Sequence, residues 1–265
     1  MNDTQPPGLR IFTCAHSFHN FVPEILAQIA AAAGIRDHRQ VGCLMIGGSR
    51  VSQHWDVPEM ESWAKEALGR GGVDVLTLSP IWLPDEGIEN FARLGLEHNP
   101  AIRICVQEFW LPNDEYVPVY PLAAYKEVDH DATDLDVLRE HQGRYLRDLD
   151  EYVRGINQRL GRDAVCVVPA GQAALRLRER IVRGTAPGLR AQWQLFSDCW
   201  GHPAAPLRML TAYCHFAVIY GRSPAGLPAI RLPGAPACPE WDGPLSRLLQ
   251  ELAWTAAVVH PMSGT

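Results

Sequence analysis

The stretch Leu9-Arg10-Ile11-Phe12-Thr13-Cys14-Ala15-His16-Ser17-Phe18-His19 is the most informative part of this sequence about the fold. Its first seven residues are a mainly apolar run of strand length. A helical pattern follows at Pro23–Ala33, with a proline near its start and Gly34 directly after its end. An apolar strand that leads through a short turn into a helix is typical of a parallel α/β sheet.

The same alternation continues along the chain. Further strands are predicted at Val41–Ile46, Val73–Leu78, Ala101–Val106 and Ala164–Val168. Further helices are predicted at Pro58–Leu68, Glu86–Glu97, Asp134–Leu160, Gly171–Arg183, His202–Tyr220 and Leu245–Val258. Apolar strands that alternate with helices predict a three-layer α/β/α sandwich around a parallel five-stranded sheet, of the flavodoxin-like type.

The whole chain, 1–265, is expected to form one domain, because no internal repeat and no linker divides it. An irregular insertion is predicted at 111–133, where neither a helical nor a strand period is maintained. A C-terminal extension is predicted at 229–265, which begins in a stretch rich in proline and glycine.

Charge and hydropathy exclude several classes of partner. The net charge of −6 and the absence of a run rich in lysine and arginine argue against a nucleic-acid surface. No apolar stretch reaches the roughly 18 residues that a membrane span requires. Residues 1–8 lack the charged and apolar regions of a signal peptide, so the chain is expected to be cytoplasmic, or exported with its signal removed.

Ligands of open parallel sheets bind beyond the carboxyl ends of the strands, so the residues that follow each predicted strand are the candidates for a site. These residues include three serines, three histidines, two adjacent glycines and three tryptophans. They are His16, Ser17, His19, Gly47, Gly48, Ser49, His54, Trp55, Ser79, Trp82, Gln107, Glu108 and Trp110.

A second informative segment, Asp198-Cys199-Trp200-Gly201-His202-Pro203, lies just before a strong helical pattern. A serine hydroxyl becomes an effective nucleophile when a base takes its proton and a third group orients that base. Ser17, His202 and Asp198 are predicted to fill these three roles. The alternative interpretation makes Ser17 and Asp198 helix caps or turn residues, and His202 a surface histidine.

Gly48 and the tryptophans also have two interpretations each. The N–H of Gly48, together with that of Ser17, can stabilise an oxyanion, whereas a glycine after a strand can simply permit a tight turn. Trp55, Trp82 and Trp110 are predicted to include a residue that stacks on a sugar ring, although most tryptophans belong to the core.

These residues resemble the blocks of the SGNH hydrolase superfamily, the GDSL-type esterases and lipases. Ala15-His16-Ser17-Phe18 is similar to the block that holds the family's nucleophile, and Ile46-Gly47-Gly48-Ser49 to the block that holds its oxyanion glycine. Asp198 and His202 match the last block, although they are four residues apart and the family usually spaces them by three. The resemblance extends from about Leu9 to Pro228.

One block of the family has no match. The family places an asparagine after the third strand as a further oxyanion donor, and 78–82 contains none. Ser79, Gln107 and Asn20 are the candidates to replace it.

The resemblance implies a serine ester hydrolase. The acidic net charge, the tryptophans that follow the strands and the lack of a lipid-like apolar lid favour removal of an O-acetyl or another short acyl group from a carbohydrate over action on a long-chain lipid. Its substrate is expected to be a small-molecule or saccharide ester, and no cofactor or metal is expected. One alternative is a catalytically silent module of SGNH type that binds saccharide. Another is a metal-dependent hydrolase using His16, His19 and His54, although no carboxylate or cysteine stands beside them at ligand spacing.

Overall fold

A computed structural model describes residues 6–117, 127–230, 232 and 243–265. Within this part of the chain, the strands β1 (Arg10–Ala15), β2 (Arg39–Met45), β3 (Val75–Leu78), β4 (Arg103–Gln107) and β5 (Val165–Val168) form one sheet. The order in the sheet is β2-β1-β3-β4-β5, and every pairing is parallel. The predicted fold class, an α/β sandwich around a parallel five-stranded sheet, is confirmed.

The helices lie close to their predicted positions. They are α1 (Val22–Ala32), α2 (Val51–Trp55), α3 (Trp63–Gly69), α4 (Gly87–His98), α5 (Leu135–Leu160), α6 (Ala170–Val182), α7 (Ala205–Tyr220) and α8 (Pro244–Val259). The short helix α2 was not predicted. The helix predicted at Pro58–Leu68 divides into a 3-10 turn at Glu59–Glu61 and α3, because the Ser62 side chain caps the amide of Lys65 and starts a new helix there.

The helices pack in two groups around the sheet. Helices α1, α6 and α8 pack against α7, whereas α2 and α3 pack against α4. Helix α7 is buried along almost its whole length, including the polar residue His215. The central strands β1, β3 and β4 are buried on both faces, while β2 at the sheet edge alternates between exposed and half-buried residues.

The predicted insertion and extension are described in part. In the insertion, the buried Asp114 accepts hydrogen bonds from Arg178 of α6, from His130 and from Thr133, which joins both described ends of the insertion to the sandwich. Residues 118–126 of the insertion, and residues 231 and 233–242 of the extension, lie outside the described residues. In the described ranges, no helix combines the length and the apolar character that crossing a membrane requires.

Candidate active site

Ser17 lies in the tight turn that joins β1 to α1. The amides of His19 and Asn20 both donate to the carbonyl oxygen of His16, at 2.9 and 3.0 Å, and this closes the turn around Ser17. The turn stands at the carboxyl end of β1, next to the carboxyl ends of β2 and β3. The Ser17 side chain is therefore presented at the sheet edge where ligands of parallel sheets bind.

Asp198 and His202 lie in a loop that is closed on itself before α7. Ser197 N–H donates to the His202 carbonyl at 2.8 Å, and Phe196 forms an isolated antiparallel bridge with Pro203. Gly201 has a φ of +76°, and a Cβ atom at this position would come within 2.7 Å of the Pro112 backbone. The closed loop turns the Asp198 carboxylate back towards the His202 ring, although the two residues are four positions apart.

The structure brings Ser17, His202 and Asp198 together. Ser17 Oγ lies 3.0 Å from His202 Nε2, and His202 Nδ1 lies 2.7 Å from Asp198 Oδ2. The Phe18 ring stacks on the His202 ring, with the centroids 4.7 Å apart and an interplanar angle of 16°. The His202 ring is thus held between a carboxylate, a hydroxyl and an aromatic face.

The environment of Asp198 favours its ionised form. Partial burial acts to raise its pKa, but hydrogen bonds from the amide and ring of His202 and from the Trp200 amide outweigh this effect, and the pKa of Asp198 is lowered. A carboxylate in this position keeps a proton on His202 Nδ1 and leaves Nε2 able to accept the hydroxyl proton of Ser17.

A pocket of about 230 Å³ opens beside Ser17 and His202. Gly48 contributes to its wall with a φ of +61°. The other lining residues in the described part of the chain have apolar or aromatic side chains: Phe18, Ile81, Trp82, Phe109, Pro112 and Trp200. The hydroxyl and the imidazole therefore face a space that suits an apolar group.

The three predicted stacking tryptophans occupy different places. Trp82 lines the pocket. Trp110 is buried beneath the closed loop that carries Asp198 and His202, where its Nε1 donates to the Gly201 carbonyl at 3.0 Å, so its indole supports the loop and offers no open face. Trp55 packs its ring against Phe91, outside the described pocket wall.

Trp200 is a pocket residue that sequence reasoning missed. It lines the pocket and is 48% exposed, which makes it the most accessible indole at this site. Its position between Asp198 and His202 in the sequence was the available signal, because a residue in that segment is necessarily close to the histidine.

The histidines proposed as metal ligands are engaged elsewhere. His16 Nε2 bonds the Ser79 carbonyl at 2.9 Å, His54 Nε2 bonds Ser49 Oγ at 2.7 Å, and the His19 ring stacks on His215. Among the described residues, no group of three or more histidine, cysteine, aspartate and glutamate side chains is arranged to hold a metal ion. Burial lowers the pKa of His16 and of His54 to about 4, so both rings are neutral near pH 7.

The candidates to replace the asparagine do not reach the described pocket wall. Gln107 is buried below the pocket and donates to Ser79 Oγ at 3.3 Å, which turns both side chains into the interior. Asn20 is exposed to solvent. Ser17 and Gly48 both line the pocket, and their backbone N–H groups remain the predicted oxyanion donors.

The comparisons with known proteins bear mainly on the fold. No family model matches the sequence, and no curated protein matches it either. A solved structure of a DUF4886 family protein from Bacteroides uniformis is similar over 98% of both chains, with 14% identity and a TM-score of 0.59. This similarity shows a shared fold.

A second solved structure is more distant. It is that of a protein from Parabacteroides merdae described as a GDSL-like lipase, and it covers 82% of this chain and 98% of its own, with 14% identity and a TM-score of 0.46. A match at this level carries no argument about the present site.

Proposed function

We propose that this protein is a serine ester hydrolase of the SGNH type. The observation that carries the proposal is the chain of contacts from Ser17 Oγ through the His202 ring to the Asp198 carboxylate, at 3.0 and 2.7 Å, which opens on a pocket of about 230 Å³. A hydroxyl, an imidazole and a carboxylate in this geometry are the components of nucleophilic acyl transfer.

The proposed reaction has two halves. In the first, Ser17 Oγ attacks the ester carbonyl while His202 Nε2 takes its proton, and Asp198 stabilises the charged imidazole. The negative oxygen of the tetrahedral intermediate is stabilised by the N–H groups of Ser17 and Gly48. Collapse of this intermediate expels the alcohol, which receives the proton from His202, and leaves an acyl-serine. In the second half, a water molecule attacks the acyl carbonyl while His202 takes its proton. The bond between the acyl carbon and Ser17 Oγ then breaks, His202 returns the proton to Ser17 Oγ, and the acid leaves.

We infer further that the ester joins a short acyl group to a saccharide. The apolar wall formed by Ile81, Phe109 and Pro112 suits the hydrocarbon part of an acyl group. The exposed indole of Trp200, at the mouth of the same pocket, suits the face of a sugar ring.

Covalent labelling and hydrolysis test the proposal together. The wild type should react with a fluorophosphonate probe and hydrolyse p-nitrophenyl acetate, and EDTA should leave both unchanged, because the proposed mechanism uses no Lewis acid. Ser17→Ala should remove labelling and lower turnover by about 10⁴-fold or more, because it deletes the nucleophile. Ser223→Ala is the matched control, since Ser223 is a half-buried turn serine that bonds the Ala225 amide.

Three results would contradict the proposal. They are equal turnover by the wild type and Ser17→Ala, failure of the folded wild type to react with the probe, or loss of activity on chelation that zinc restores.

A saccharide-binding module without catalytic activity is the second candidate. It is favoured by the observation that neither Ser79, Gln107 nor Asn20 reaches the described pocket wall, which leaves two backbone donors for an oxyanion. Loss of one oxyanion donor costs about 10²–10³-fold in rate. Calorimetry with a panel of oligosaccharides, combined with fluorophosphonate labelling, separates the two candidates. If the protein is a silent binding module, the wild type should bind a saccharide and should not react with the probe.

A further inference from the structure

A buried glutamine lies beneath the turn that carries Ser17. Gln107 is the last residue of β4 and is 0% exposed. Its Nε2 donates to the Phe18 carbonyl at 3.1 Å and to Ser79 Oγ at 3.3 Å, and its Oε1 lies 3.0 Å from His215 Nε2. One side chain thus connects β4, the end of β3, the serine turn and helix α7.

The partners fix the orientation of this amide and the tautomer of His215. The Phe18 carbonyl can accept but not donate, so the NH₂ group of Gln107 must face it. The Gln107 oxygen then faces His215, which must donate through Nε2 and carry no proton on Nδ1 while its ring is neutral. Burial lowers the pKa of His215 to about 3 and therefore favours this neutral form.

The backbone N–H of Phe18 is also held by a buried side chain, that of His16. His16 Nε2 donates to the Ser79 carbonyl at 2.9 Å, so its Nδ1 is free of hydrogen and accepts the Phe18 N–H at 3.3 Å. Both peptide units that flank Phe18 are therefore held by buried side chains, and the first of these units directly follows Ser17.

Phe18 connects this network to both reacting groups. It is the chain neighbour of Ser17, and its ring stacks on His202 at 4.7 Å. A shift of the Phe18 backbone would therefore move the nucleophile and the base relative to each other. Displacements of about 1 Å in such a pair can lower the rate about 100-fold.

We propose that Gln107, oriented by the hydrogen bond from His215, is a positioning residue that holds the Ser17–Phe18 turn in the geometry required for attack. The inference rests on the proposed function, because it assigns Gln107 to the alignment of Ser17 with His202. Gln107 itself touches neither the pocket nor the hydroxyl of Ser17 among the contacts described.

The test measures the second-order rate of fluorophosphonate labelling in parallel with the steady-state kinetics of p-nitrophenyl acetate. Gln107→Leu removes the donor to Phe18 and keeps a side chain of similar size. We expect labelling and kcat to fall about 10- to 100-fold with KM nearly unchanged, because the pocket wall is retained while the nucleophile loses its alignment.

A matched control separates this effect from general destabilisation. Gln250 of α8 is also buried, and its Nε2 donates to the Leu227 carbonyl at 3.0 Å, remote in sequence from the serine turn. Gln250→Leu should lower Tm comparably, while its labelling rate stays within about twofold of the wild type.

Two conservative variants test the positioning role directly, because a purely structural role of Gln107 would not produce the changes in labelling rate expected for them. In Gln107→Glu, a protonated carboxyl can still donate to the Phe18 carbonyl, whereas an ionised one cannot. The Gln107 side chain bonds the Phe18 carbonyl, Ser79 Oγ and His215 Nε2, and the His19 ring stacks on His215. Even a protonated His215 would not supply a donor to the Phe18 carbonyl. The labelling rate of this variant relative to the wild type should therefore rise as the pH falls through the pKa of the introduced carboxyl.

The second variant concerns the partner residue. In His215→Gln, the new side chain can still donate to Gln107 Oε1, so this variant should retain most of the wild-type labelling rate. His215→Leu has no donor, and its labelling rate should fall as much as that of Gln107→Leu.

The outcomes are distinct. Slow labelling of Gln107→Leu, with the pH-dependent ratio for Gln107→Glu and retention in His215→Gln, supports the inference. If the wild type reacts and folded Gln107→Leu reacts at an equal rate, the positioning role is wrong and the proposed function stands. Equal loss in Gln250→Leu, or a pH-independent ratio for Gln107→Glu, also overturns the positioning role. If the folded wild type fails to react, the proposed function and this inference fail together.

Discussion

At the scale of single residues, the site depends on what each side chain contacts. Trp82, Trp110 and Trp200 lie near one another in space, yet Trp82 and Trp200 line the pocket while Trp110 donates its N–H to the Gly201 carbonyl beneath it. Similarly, His202 contacts Ser17 and Asp198, whereas His16 holds the backbone of Phe18 and Ser79. Residues of one type thus have different roles within a single site.

The exposed indole of Trp200 gives a prediction about the substrate. Trp200→Ala should raise KM for a saccharide acetate about 3- to 10-fold, because it removes the proposed stacking surface, and should change KM for p-nitrophenyl acetate less. The comparison of the two substrates in steady-state kinetics is the measurement. Trp63→Ala serves as the control, since Trp63 is 69% exposed at the start of α3 and outside the described pocket wall. Equal changes in KM for both substrates would remove the support for a sugar at this position.

At the scale of secondary-structure elements, two segments that are far apart in sequence lie in contact at the site. The turn after β1 presents Ser17, and the closed loop before α7 presents His202 and Asp198. The loop keeps its shape through the bridge between Phe196 and Pro203 and through the close approach of Gly201 to Pro112. Its geometry is therefore a property of the loop together with the described start of the insertion.

Gly201 allows this loop geometry to be tested. Gly201→Ala should destabilise the protein by about 2–5 kcal/mol, because a left-handed φ and a contact with the Pro112 backbone both oppose a Cβ atom. Gly221 has a φ of +59° and no atom within 4 Å of the position that a Cβ would take, so Gly221→Ala should cost only about 1–2 kcal/mol. Urea unfolding measures both variants. Activity should fall in Gly201→Ala even under conditions where it is folded, and equal behaviour of the two variants would contradict the proposed role of the loop.

At the scale of the whole molecule, the interior beneath the site is rich in neutral histidine. His16, His19, His54 and His215 are all buried, and burial lowers the pKa of each ring. The folded protein therefore binds fewer protons on these rings than the unfolded chain does once the pH falls below the usual value of 6.5. Because the folded and unfolded states bind different numbers of protons on these rings, the free energy of unfolding depends on pH.

Burial of these rings makes the protein less stable as the pH falls. A lowered pKa gives stability that is fully present above pH 6.5 and is lost as the pH falls towards about 4, the pKa of His16 and His54. Glu108 and Asp85 act in the opposite direction, since burial raises the pKa of Glu108 to about 7 and also raises that of Asp85, but these two carboxyls are outnumbered by five imidazoles, of which His38 is the fifth. The free energy of unfolding should therefore decrease between pH 6.5 and 4.

Denaturant unfolding at several pH values measures this decrease. His54→Gln should flatten the slope, whereas the same change at the exposed His98 should not. A free energy of unfolding that rises on acidification over this range would show that the histidines are not held neutral.

The succession of strands and helices can be read from the sequence alone. The rule for parallel sheets then gives the edge at which a site should form. Hydrophobic periodicity records the burial of local segments, so the order of elements and the class of fold followed from it. The resemblance to the SGNH blocks also selected Ser17, Asp198 and His202, which the structure places in contact.

Which side chains face the pocket and which support it from below depends on contacts between segments that are distant in sequence. Gln107 and His215 are 108 residues apart in sequence, and Trp110 and Gly201 are 91 apart, yet each pair is joined by a hydrogen bond. Local sequence records how a segment alternates between apolar and polar residues, but a hydrogen bond between distant segments depends on strand register, helix packing and side-chain rotamers. Those features arise when the whole core is assembled, because close packing fixes side-chain orientations that no single segment determines.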